Sequence, residues 1–120
     1  MANENKVVND ESILNSVKKL LMLGEEYTLF DQDIILNINT VLANLTQMGI
    51  GKKGGLVIFD ETAKWSDFIG DAKNLQQIKT YVYLKVRVLF DPPSNGTLMQ
   101  ALNEQAKELE VRLYTECGGY

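Results

Sequence analysis

The chain has 120 residues, 45 % hydrophobic and 23 % charged, with 12 basic and 16 acidic side chains and a net charge of −4. These values suit one globular domain and argue against disorder except at the ends. The acidic balance is the reverse of that in proteins that grip nucleic acid by neutralising phosphates, and no apolar run approaches the ~20 residues of a bilayer span.

The first nine residues are polar and read as a flexible arm, without the basic-then-apolar pattern of a secretion signal, so the cytoplasm of the cell that makes the chain is the expected compartment. From Asp10 or Ser12, either of which can cap a helix start, Ile13, Leu14, Val17, Leu20 and Leu21 fall at helical spacing. Ser16, Lys18 and Lys19 take the other faces, and Gly24 supplies a stop. Thr28 stands three residues before Asp31, a loose capping box that opens a second helix. Its inward stripe is Ile34, Ile35, Ile38, Val41, Leu42 and Leu45, and Gly49 ends it.

The middle changes character. Gly49 to Gly55 is a glycine-rich basic loop. Leu56-Val57-Ile58-Phe59 reads as a strand, Asp60-Glu61 as a turn and Thr62 to Trp65 as the return strand, giving a hairpin inserted between helices. Ser66 to Gly70 then makes a single helical turn.

From Asn74 to Asp91 two templates compete. A strand alternates Thr80, Val82, Leu84, Val86 and Val88 with Lys79, Tyr81, Tyr83, Lys85 and Arg87, and its β-branched and aromatic content supports it. A helix places Leu75, Ile78, Val82, Val86 and Leu89 on one stripe, starts earlier and runs longer, and leaves Tyr81, Leu84, Lys85 and Val88 on intermediate faces. Pro92-Pro93 ends the element either way. Ser94 or Asn95 caps a last helix with Leu98, Leu102, Ala106, Leu109 and Leu113 inward, fading after Tyr114 into a tail at 116–120.

Little in this pattern supports catalysis. The chain has no histidine, which removes the commonest general base and metal ligand. Asp31 and Asp33 sit at a helix start, where they complement the macrodipole, and Asp60-Glu61 have turn chemistry. Neither pair has the spacing of an EF-hand loop. The loop at Gly49 to Gly55 lacks the Gly-Lys-Ser/Thr ending of a P-loop. No catalytic residue, cofactor or metal site is assigned. Cys117, the single cysteine, reads as an inert thiol near the end of the chain.

Two sets of residues remain as candidate contacts. Gly51, Lys52, Lys53 and Gly54 form a surface tip that can serve as a contact loop for a partner or passing nucleic acid. Trp65, Phe68, Tyr81, Lys85 and Val88 are the candidate subunit interface, although the pattern of Trp65 and Phe68 favours sealing the hairpin on the helices over an exposed anchor. The glutamates 104, 108 and 110 read as a solvated helix face with Lys107 and Arg112 as helix-spaced partners.

The run from Ile78-Lys79-Thr80-Tyr81-Val82-Tyr83 through Asp91-Pro92-Pro93, then Leu98 to Leu113 with Glu104-Gln105 and Leu109-Glu110-Val111-Arg112-Leu113, resembles the head–tail connector proteins of long-tailed bacteriophages. Ser12 to Lys19, Phe30-Asp31-Gln32-Asp33-Ile34-Ile35 and Trp65 to Gly70 fit the same family, so the likeness runs from about Asp10 to Thr115. Its motifs are packing and turn motifs. The resemblance implies a mainly α fold, a bundle of about four helices with the short hairpin or loop insertion between the second and third, in one domain at 10–115. It also implies a homo-oligomeric ring of about a dozen copies, with the third helix's extra apolar faces turned to neighbours in the ring. The ring would sit below the portal protein in the virion, bind the next head-completion or tail-joining protein, and let DNA pass without specific binding or any membrane. A small helical binding or regulatory module, working as monomer or dimer, is the alternative. A carboxylate enzyme is the remaining rival.

Overall fold

The computed structural model describes residues 11–70 and 74–118. The arm expected over residues 1–9, the candidate cap Asp10, the last two residues and the Cys117 side chain lie outside what is described. Five α-helices occur among the described residues: α1 (Ile13–Leu20), α2 (Asp31–Gln47), α3 (Trp65–Phe68), α4 (Leu75–Phe90) and α5 (Gly96–Leu113), and the chain then widens into a π-type turn over Tyr114–Gly118. α4 is the centre of the bundle, packing on α1, α2 and α5, whereas α5 rests mainly on α4.

The two ends of the bundle are closed by local chemistry. Ser12 caps α1 through its hydroxyl, which accepts from the Asn15 N–H at 3.2 Å. The helix finishes at Leu20, four residues before Gly24. Met22 takes the left-handed conformation (φ 69°), its N–H bonding the Lys19 carbonyl and the Leu23 N–H the Lys18 carbonyl, a Schellman ending built without glycine. α2 ends in the same way on Gly49 (φ 84°), with Gly49 bonded to Thr46 and Ile50 to Leu45. Its start differs from expectation. Phe30 holds the cap position without a side-chain bond, and Thr28 contributes its carbonyl rather than its hydroxyl, accepting from Asp31. Asn95 caps α5, its side-chain oxygen accepting from Thr97 and Leu98.

The stripe of α2 is buried as the periodicity requires: Ile34, Ile35, Ile38, Val41, Leu42 and Leu45 all lie in the core. α4 settles as helix, and it buries Tyr81 and Leu84 along with Leu75, Ile78, Val82 and Val86. Much of its wide apolar surface is therefore covered within the subunit by helices on several sides. Leu20, Leu89 and Leu98, expected inward, are substantially exposed. Ser16 and Lys18, expected outward, are buried. Lys18 is only 1 % exposed because its ammonium meets Asp31 Oδ1 at 2.8 Å and donates to the Glu25 carbonyl at 3.1 Å, which pins α1 to the start of α2. A lysine is tolerated there because its charge is paired and hydrogen-bonded.

The expected hairpin is absent; the described residues contain no strand. Leu56 to Phe59 finds a different partner. The Asn39 side chain, from the middle of α2, accepts from the Ile58 N–H at 2.8 Å and donates to the Ile58 carbonyl at 3.0 Å, standing in for one peptide of a neighbouring strand. Thr62 to Trp65 pairs elsewhere too. Ile13 N–H bonds the Ala63 carbonyl and Trp65 N–H bonds that of Glu11, an isolated antiparallel bridge at Ser12 and Lys64. Asp60 explains the separation, because its carboxylate accepts from the Thr62 N–H and hydroxyl and turns the chain away before a return strand can align.

Candidate functional site

The contact loop has a fixed base and an open tip. Gly51 (φ 87°) lies against the Phe68 ring so closely that a Cβ there would stand 2.3 Å from a ring carbon. Gly54 (φ 88°) faces open space, and the Gly55 N–H bonds the Lys52 carbonyl at 2.8 Å to close the tip. Lys52 and Lys53 are exposed and make no ion pair with a described residue. The loop therefore presents two cations on a short turn whose base, Gly51, lies against Phe68.

Three of the five candidate interface residues are inside the subunit. Trp65 is 0 % exposed; its indole N–H donates to Ser16 Oγ at 3.0 Å, and the Ser16 hydroxyl donates to the Ser12 carbonyl at 2.6 Å. The Lys79 ammonium lies 6.0 Å from the Trp65 ring and 2.7 Å from Glu11 Oε1. Burial works upward on the Glu11 carboxyl, but the Lys79 hydrogen bond and charge, with the Ser16 hydroxyl and the Lys19 charge, hold it below its ordinary value. Phe68 is buried beneath Gly51. Tyr81 is buried too, and its hydroxyl donates to Glu110 Oε2 at 3.0 Å, joining α4 to α5; burial and then the Glu110 carboxylate raise the phenol well above its ordinary value. These three shape the surface from within. Lys85 and Val88 are half-buried; Lys85 lines a shallow cleft between α4 and α5 with Tyr81, Asn103 and Lys107.

Two open surfaces escaped the periodicity. One is a groove of mixed character between the start of α2 and the end of α4, lined by Phe30, Leu36, Leu89 and Phe90 together with Asp33 and Asn37. Tyr27, Phe30 and Phe90 continue it as an edge-to-face row, with centroids 5.9 and 5.5 Å apart. Leu36 lies off the apolar stripe of α2, which was a signal for it, whereas Leu89 sits on the stripe expected inward and gave none. The other surface is the outer side of Leu56 to Phe59, where Val57 and Phe59 are 58 % and 78 % exposed while Ile58 is 1 % exposed. Among the described residues no group of carboxylates and thiols could hold a metal ion, and no helix is long and apolar enough to cross a membrane.

Buried polar groups here tie helix to helix, and the open surfaces carry exposed apolar side chains or the Lys52–Lys53 pair, groups suited to contact with other molecules. The comparison with known families agrees in kind: a family profile described as phage connector protein matches residues 13–119, and the chain belongs to that family. Neither a curated protein nor a solved structure matches the chain. With membership come a structural head–tail role, association with other phage head or tail proteins, and a place in the virion.

Proposed function

We propose that the chain assembles as a ring of about a dozen copies beneath the portal protein, lengthens the channel through which DNA leaves the head, and offers its far side to the next head-completion or tail-joining protein. The family match over residues 13–119 carries this reading, because it takes in every described helix of the bundle. The exposed Leu36 and Leu89 beside Phe30 in the groove between α2 and α4 support it as apolar side chains the subunit leaves uncovered. Lys85 and Val88 belong to the contact between neighbours, and Trp65, Phe68 and Tyr81 hold that surface in shape from below. The tip at Gly51, Lys52, Lys53 and Gly54 meets a partner or the passing duplex. A net charge of −4 suits a channel that DNA crosses without sticking. The chain works sterically, without turnover, and assembles in the host cytoplasm before joining the virion.

Sizing and negative-stain imaging of the purified chain, alone and with portal protein, test the reading. Rings are expected either alone at high concentration or once portal is added. A strict monomer or dimer that ignores portal under all conditions overturns it in favour of a small helical binding module.

A further inference from the structure

The segment that failed to form a hairpin is half of a sheet edge. Asn39 bonds both backbone groups of Ile58, which requires them to point to the same side, as they do in an extended strand. In such a strand the backbone groups of the flanking residues point the opposite way, and those of Val57 and Phe59 have no partner among the described residues. Their side chains alternate with Ile58 in burial as a strand's should, Ile58 in the core and Val57 and Phe59 in solvent. An open edge with apolar side chains is a template for another strand.

We propose that Leu56–Phe59 pairs antiparallel with the same segment of a second copy of this chain, Val57 of one facing Phe59 of the other. In that register every outward N–H and C=O of Val57 and Phe59 meets its counterpart, while Ile58, on the two-fold axis, keeps its bonds to Asn39. The facing side chains form aromatic–β-branched pairs, a favourable cross-strand combination. Charge selects the same arrangement. Lys52 and Lys53 precede the segment and Asp60 and Glu61 follow it, so antiparallel pairing sets the basic end of each copy beside the acidic end of the other. A parallel arrangement would place like charges together. The contact is isologous, unlike the heterologous contact that closes a ring, and it does not depend on the ring reading. Two short strands alone are marginal in water, so the association is weak and concentration-dependent.

Disulfide trapping reads the register. In a Cys117→Ser background, Val57→Cys mixed with Phe59→Cys is expected to give a covalent dimer about tenfold faster than either variant alone, the ratio that 1.4 kcal/mol of preference would produce. Val57→Pro removes the outward N–H and is expected to abolish concentration-dependent sedimentation with helical content unchanged, because the Val57 N–H is unbonded within the subunit. Lys53→Glu weakens association and Lys53→Glu/Glu61→Lys restores it. Trapping no faster than for a Thr40→Cys control, equal trapping of Val57→Cys alone, indifference to Val57→Pro, or trapping to added portal protein in place of a second copy each overturns the proposal. None of these readouts requires rings to form, so a failure of the ring reading leaves this result standing.

Discussion

Leu75–Phe90 and Leu56–Phe59 are both rich in β-branched, aliphatic and aromatic residues, yet the first is a helix at the centre of the bundle and the second an extended segment on its surface. Their surroundings differ. α4 is long enough to complete several helical turns and has helices on several sides, so Ile78, Tyr81, Val82, Leu84 and Val86 are all covered without leaving the subunit. Leu56 to Phe59 follows the left-handed Gly54 and Gly55 and runs into the Asp60 turn, which leaves no length for a helix to nucleate. One asparagine then fixes it extended. Intrinsic β preference is thus decided by length and available partners.

The contrast is sharpest in burial. Ile78→Ala in α4 is expected to cost about 2–5 kcal/mol in denaturant unfolding, whereas Phe59→Ala should stay within about 0.5 kcal/mol. Comparable losses at the two sites would break the comparison. Asn39→Ala removes both bonds to Ile58 and strands its backbone groups, an expected loss of about 1–3 kcal/mol. In hydrogen exchange the Ile58 amide should then exchange faster while the amides of α4 do not. Tyr81→Phe unlinks α4 from Glu110 of α5 at an expected cost of about 1 kcal/mol, read from thermal unfolding.

The smallest effect lies at Glu11. Its carboxyl is held low in the folded chain by Lys79, so its contribution is present above the ordinary carboxylate range and fades as pH falls through the folded value. Lys79→Met should flatten the acid side of a stability–pH profile and leave the neutral side's shape unchanged.

Elements with a long apolar stripe were legible in the sequence: α2 buries the six residues its spacing marks, and Asn95 caps α5. Burial of α4 on several sides was not legible, since which faces are covered depends on where α1, α2 and α5 settle. The hairpin misled because the alternation at Leu56 to Phe59 does specify an extended chain without specifying a strand as its partner; the amide of Asn39, far away in sequence, takes that place. Ser16 and Lys18 looked solvated, and only the positions of Trp65 and Asp31 make their burial possible. Of the candidate site, the loop's exposed lysines were readable. The inward placement of Trp65, Phe68 and Tyr81 was not, because an aromatic at an interface and one in a core have the same spacing.

The proposed role as a head–tail connector is tested most directly on the particle. Heads assembled without this chain should carry portal and DNA but remain tailless, and adding the purified chain with the tail components should restore tailed particles under the electron microscope. Tailed, infectious particles formed in its absence would contradict the account.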